Sequence, residues 1–315
     1  MKTFHSVSKL FLLLTGLMAS AASCIRPDLS DCPRQNVRIT VTTHTEASRA
    51  ENDRYDIQNA TIYVFDASGR FVTAWEGGEY IYGQPYTAEL ELDPGTYRFV
   101  VWTNQGESYT STHSVSECHQ SKPSLSELTY YLNCPADNTL TADLPDLHHG
   151  ILQNAVVTAD ILNEFTVVLT PNTYTLNFTV EGLPADGNDY TFKVTDNNSH
   201  YTFDNTILGG QLEFSHLRAT RFTESEELTA SMKVLRLTAD REPLFDFADA
   251  TGGESLYANG LVTMIRRAYG SASRADLASV LATTFEYNIT ITFRANVGVN
   301  VEVNGWSYFE NNTEL

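Results

Sequence analysis

From Val37 onward the chain reads as short runs in which apolar and polar residues alternate. Val37, Ile39 and Val41 alternate with Arg38, Thr40 and Thr42, the period of a strand with one buried face. Thr61-Ile62-Tyr63-Val64-Phe65 is apolar on both faces, as a central strand should be. Asp66-Ala67-Ser68-Gly69 then turns the chain, and Arg70-Phe71-Val72 pairs back. The stretch 90–102 carries Pro94-Gly95 at its middle. Pro94 presets φ for the first central position of a type II turn and Gly95 supplies positive φ at the second, so a tight hairpin is predicted. In its second arm Tyr97, Phe99 and Val101 point one way, Val100 and Trp102 the other. Residues 103–135 lose this period and predict a long connection with one helical turn near 125–131.

Strands are expected around 155–159 and 164–169, with Pro171-Asn172 breaking the second. Tyr174, Leu176, Phe178 and Val180 alternate with polar residues, and 190–195 and 232–237 also read as strands. The segments 196–206 and 216–230 read as polar connections. A helix is predicted over 256–268, with Leu261, Ile265 and Ala268 on one face. Ser273-Arg274-Ala275-Asp276 resembles a capping box before a second helix that carries Leu277, Val280 and Leu281. Two regular strands close the chain, one through Tyr287, Ile289, Ile291 and Phe293, the other through Val297, Val299, Val301 and Val303. Short strands between turn signals predict a mainly β protein. Its 315 residues suit two tandem β-sandwich domains, 37–171 and 172–315, with short helices in the second.

The first 36 residues break this pattern. Lys2 and Lys9 precede an apolar run from Leu10 to Met18, too short to span a bilayer, and small residues follow it. This is the layout of a secretory signal over 1–23. Cys24 comes next, where a lipoprotein signal peptidase would leave it as an acylated N-terminus. Residues 24–36 would then be a lipid-anchored tether. Ala21 stands where that recognition box prefers Leu, and ordinary cleavage after Ser23 also fits the small residues.

Composition narrows the partners. The formal charge is −19, which disfavours nucleic acid and anionic lipid surfaces. An exported chain with four cysteines invites disulfides. With Cys24 acylated, Cys32, Cys118 and Cys134 remain and form at most one bridge. Cys118 with Cys134 would staple a polar segment, and Cys32 would tie the lead to the first domain; spacing leaves the choice open. No metal-site spacing, Walker loop, dinucleotide fingerprint or GxSxG elbow occurs, so no cofactor and no enzymatic activity are expected. His148-His149 would diverge on an extended segment, which favours a surface or turn role over a metal site. Asp186-Gly187-Asn188-Asp189 and Asp196-Asn197-Asn198 lack calcium-loop spacing and read as turns. Arg266-Arg267 reads as a solvated helix face. Trp75, Tyr80, Tyr82, Tyr86 and Tyr130-Tyr131 offer a glycan-stacking platform or, as aromatic strand residues usually do, core and cross-strand pairs. A surface glycan-binding lipoprotein is therefore the alternative function.

Several motifs in order resemble one family. Cys24-Ile25-Arg26-Pro27-Asp28-Leu29-Ser30-Asp31-Cys32-Pro33 is similar to the mature start of the Mfa2/FimB fimbrial anchor lipoproteins of Bacteroidales. Ile62-Tyr63-Val64-Phe65-Asp66 with Gly69-Arg70-Phe71, Leu92-Asp93-Pro94-Gly95-Thr96-Tyr97 into Val101-Trp102, His149-Gly150, Leu235-Arg236-Leu237 and Val303-Asn304-Gly305-Trp306 continue the likeness. The resemblance implies two transthyretin-like β-sandwich domains in a lipid-anchored outer-membrane protein at the base of a fimbria. It further implies that a fimbrial stalk subunit is bound by β-strand complementation, and that no catalytic residue is to be mapped. An apolar run expected after Trp306 is replaced by Ser307-Tyr308-Phe309-Glu310.

Overall fold

Alternation in the sequence becomes alternation of burial in β1 (Val37–Thr42), whose odd-numbered residues are buried. The computed structural model describes residues 36–43, 57–79, 86–183, 187–210, 212–221, 227–270, 273–294 and 297–310. The signal, Cys24, Cys32, Tyr80 and Tyr82 lie outside the described residues. β2 (Ala60–Asp66) is buried along its length up to Asp66 and turns into β3 (Phe71–Gly77). Gly69 sits in that turn at φ +81°, where a Cβ would be strained, and its N–H donates to the Asp66 carbonyl at 2.9 Å.

β4 (Tyr86–Leu90) and β5 (Gly95–Thr103) do not form the predicted hairpin. β4 pairs with β1 and β5 pairs with β2, so the chain crosses from one sheet to another, and Gly95 does not take a positive φ. The physical reason is Leu92, which is buried at the crossing. The Asn36 amide holds it like a strand partner, donating to the Leu92 carbonyl at 2.7 Å and accepting from its N–H at 3.0 Å. The Tyr97 hydroxyl donates to the Asp93 carbonyl at 2.9 Å. A buried leucine outweighs a turn propensity here.

Residues 103–135 are built rather than loose. They hold β6 (Tyr109–Ser111), α1 (Val115–Ser121), a 3-10 turn at Leu125–Glu127 and β7 (Thr129–Leu132). Ser114 caps α1 reciprocally with Glu117. These elements escape a periodicity reading because each is too short to repeat, yet Tyr109, Cys118, Tyr130 and Leu132 are all buried. β8 (Thr139–Leu140), β9 (His148–Val157), β10 (Asn163–Val168) and β11 (Thr170–Pro171) follow. Sheet β10-β1-β4 faces sheet β11-β9-β5-β2-β3 across a core that includes Ile39, Val41, Ile62, Val64, Phe99 and Val101.

The second half comprises β12 (Thr173–Glu181), β13 (Asp189–Asp196), β14 (His200–Thr202), β15 (Phe214–Arg221), β16 (Glu227–Leu235), β17 (Leu244–Asp249), β18 (Ser255–Gly260), α2 (Leu261–Ala268), α3 (Arg274–Thr283), β19 (Glu286–Arg294), β20 (Gly298–Val303) and β21 (Trp306–Glu310). Sheets β16-β12-β19-β20-β21 and β18-β17-β13-β15-β8 enclose a core that includes Leu176, Phe178, Phe192, Phe245, Ile289 and Val301. Leu261 and Ile265 of α2 and Leu277 and Leu281 of α3 complete it. Much of 216–230 is strand, not connection: its polar residues find partners, as Arg218 does with Asp143 at 2.5 Å, and His216 is buried. Within 256–268 the first residues join β18, because β17 offers them a sheet edge, and the helix begins only at Leu261.

Candidate interaction surfaces

The outer face of β5 and β2 carries Val100, Trp102, Tyr63 and Phe65, opposite the sandwich core and fully buried. Two layers cover it: the mini-sheet β14-β7-β6 and the chain around Phe203 and Phe214. Here the two halves of the chain exchange strands. β14 from the second half pairs with β7, and β8 from the first half runs parallel to β15. Trp102 stacks on Tyr130 with centroids 4.4 Å apart and an interplanar angle of 7°, and the His149 ring packs on the same indole at 4.6 Å. Phe203 meets Tyr63 edge-on at 4.8 Å. Lys233 closes the layer from outside on Asp146 at 2.5 Å.

Motifs spread over 62–237 therefore converge on one joint. Tyr63, Phe65, Trp102 and Leu235 lie in its apolar cluster, and the Arg236 guanidinium stands over the Tyr201 ring. Gly150 is dictated by packing, since a Cβ there would lie 2.7 Å from Val167 and 2.9 Å from Leu169. The surface or turn role expected for His148-His149 is overturned, because both lie buried in β9. Burial pushes the His149 pKa down to about 4, and its Nε2 lies 3.1 Å from the Phe203 carbonyl. Sequence reasoning missed this because β9 begins seven residues before the predicted strand.

The remaining candidates separate. Cys118 is buried and Cys134 half-buried, and both are free thiols, so the staple between them is not formed. Burial raises the Cys118 thiol pKa to about 11. Asp196 is committed to Arg241 at 3.2 Å. Trp75 packs against the first core and meets the buried Tyr86 edge-on, while Tyr130 is buried in the joint. Those rings form no exposed platform. Arg266 is half-buried, and Arg267 pairs with Glu310 and lies over Tyr308.

Open sheet edges are what an assembling β protein must either hide or use. At β3 the edge is plugged, with Lys122 Nζ donating to the Val72 carbonyl at 2.7 Å. β21 is different. Asn304 and Gly305, both at positive φ, make a two-residue turn between β20 and β21, so Val303 and Trp306 form the hydrogen-bonded pair beside it. Ser307 and Phe309 consequently direct their N–H and C=O groups away from β20. Among the described residues no backbone group pairs with them. Trp306 is 61% and Phe309 41% exposed, while Tyr308 turns toward the core.

A family model of the fimbrillin-A associated anchor proteins Mfa1 and Mfa2 matches residues 29–312. The chain belongs to this family. Its fold is similar to the fimbrial anchor protein Mfa2 from Porphyromonas gingivalis, at 17% identity and a TM-score of 0.65 over 87% of this chain and 98% of that one. A candidate polysaccharide-binding protein from Bacteroides thetaiotaomicron aligns at 19% identity and TM-score 0.69, over 89% and 100%. A candidate adhesin from Bacteroides ovatus aligns at 17% and 0.66, over 88% and 95%. No match is found among curated proteins. Membership gives this anchor-family protein a fimbrial accessory role at the cell surface, with fimbrial subunits as partners. The family is structural, and no helix among the described residues is long and apolar enough to cross a membrane.

Proposed function

We propose that this protein is an outer-membrane lipoprotein that holds a fimbria at the cell surface and takes part in its assembly and length control. Acylated Cys24 is the anchor and residues 24–36 the tether. Two sandwich domains, 37–171 and 172–315, form the body. A strand of the stalk subunit adds to the free edge of β21, where backbone hydrogen bonds give affinity and neighbouring side chains give specificity. The observation that carries this reading is the family match together with an edge strand whose outer backbone groups have no backbone partner among the described residues and which presents two exposed aromatic rings. More than one acyl chain is needed for stable membrane attachment, and a lipoprotein N-terminus carries them on one residue. The test is Cys24→Ala. The variant is expected to leave the membrane fraction and release fimbriae into the medium; membrane-bound variant with fimbriae retained would sink the anchor reading.

A further inference from the structure

We propose that the loop joining β9 to β10 is a foot that rests on the neutral lipid surface to which the chain is tethered. The inference rests on acylation of Cys24. Ile161 and Leu162 stand side by side on this loop, 55% and 48% exposed, and Val156 near the end of β9 is 61% exposed. The loop is firmly held. The buried Asn163 side chain accepts from the Thr158 N–H at 2.9 Å and donates to the carbonyls of Thr158 at 3.0 Å and Ile161 at 3.1 Å. The backbone groups of Thr158 and the Ile161 carbonyl are thus turned inward onto one amide, and the Ile161 and Leu162 side chains are left outward beside Asp160.

The occupant follows from where the tether enters. The Asn163 N–H donates to the Asn36 carbonyl at 2.8 Å, and the Asn163 side chain donates to the same oxygen at 3.1 Å. A chain leaving the lipid thus arrives one residue from Leu162. Cys24 and Asn36 are twelve positions apart in the sequence. Fully extended, that lead reaches about 40 Å. Tethering on this scale keeps the foot at high effective concentration over the bilayer, so a contact too weak to bind from solution becomes populated. Apolar side chains gain by leaving water at that interface. Asp93, Asp160 and Glu164 are exposed on or beside the same end, and Glu164 is paired with Arg38 at 3.1 Å. Such carboxylates fit zwitterionic headgroups better than anionic ones.

Hydroxyl-radical footprinting of the full lipidated chain on phosphatidylcholine vesicles tests the foot, with the Cys24→Ala chain in solution as reference. Labelling of Ile161 and Leu162 is expected to fall several-fold on vesicles while Trp306 and Phe309 stay unchanged. Unchanged labelling of Ile161 and Leu162 in a chain that sediments with vesicles overturns the foot and leaves the anchor intact. A Cys24→Ala chain that sediments equally overturns the anchor instead, and the foot with it. The double variant Ile161→Asp, Leu162→Asp changes exposed positions only. It is expected to sediment through its acyl chains yet lose vesicle protection at Val156; retained protection there overturns the proposal. Protection is expected to weaken on phosphatidylglycerol vesicles, and stronger protection there would overturn the choice of neutral lipid.

Discussion

The ring of Phe203, carried on the chain just after β14, stands edge-on to the ring of Tyr63 in β2, with centroids 4.8 Å apart and planes at 74°. The pair joins residues 140 positions apart in sequence and is fully buried. It also touches Phe65 at 6.2 Å and Trp102 at 6.4 Å, so Phe203 fills the centre of the joint. Truncating a buried aromatic leaves a cavity as well as losing transfer energy. Phe203→Ala is expected to cost about 3–5 kcal/mol, with Phe203→Leu costing less. Urea unfolding followed by tryptophan fluorescence checks this, and an unchanged midpoint for the alanine variant would contradict a joint that couples the halves.

Acid should weaken the joint through its imidazoles. Burial holds the pKa of His149 at about 4 and that of His216 at about 3, against an ordinary 6.5. Both folded-state values are depressed, so the unfolded chain binds protons that the folded chain refuses. Their stabilisation is complete above about pH 6.5 and is lost as pH falls through the range toward 4 and then 3. For His149 the full effect is of order 3 kcal/mol. His149→Phe is expected to be less stable at neutral pH but to lose less on acidification, as measured by urea midpoints across that range.

Gly150 tests the claim that packing, not backbone freedom, fixes the residue in its motif. Gly150→Ala would place a Cβ against Val167, Leu169 and the Val168 carbonyl, at 2.7, 2.9 and 3.0 Å. Overpacking of this kind costs about 1–3 kcal/mol. Differential scanning calorimetry should show a lower Tm; a variant as stable as the parent would mean that β9 and β10 can part freely.

The β21 edge makes a separable prediction. Phe309→Pro removes an N–H that points away from β20, so no ladder bond is lost within the sheet. Folding is expected to be nearly unaffected while fimbriae detach from cells that carry a membrane-bound variant. Fimbrial retention equal to that of the parent protein would rule out strand addition at this edge.

Strand periodicity in the sequence determined most of the individual elements. The inward and outward sets of β1, β12, β19 and β20 follow from period-two alternation, because each faces a core on one side, and in β5 the same alternation divides its residues between two buried faces. The Ser273 cap and the Leu277–Leu281 face of α3 were legible for the same local reason. The tertiary structure alone decided which strands pair. Pro94-Gly95 looked like a hairpin, but burial of Leu92 sends β4 and β5 into different sheets. His148-His149 looked like surface, but both are buried in β9, and a second-half segment, unseen by any local window, covers His149. The free edge of β21 is likewise a property of the whole sheet: the backbone groups of Ser307 and Phe309 face outward because the Asn304-Gly305 turn sets the register, and among the described residues no further strand follows β21 in the sheet order. Alternation is written into neighbouring residues, whereas pairing and coverage depend on residues a hundred positions away.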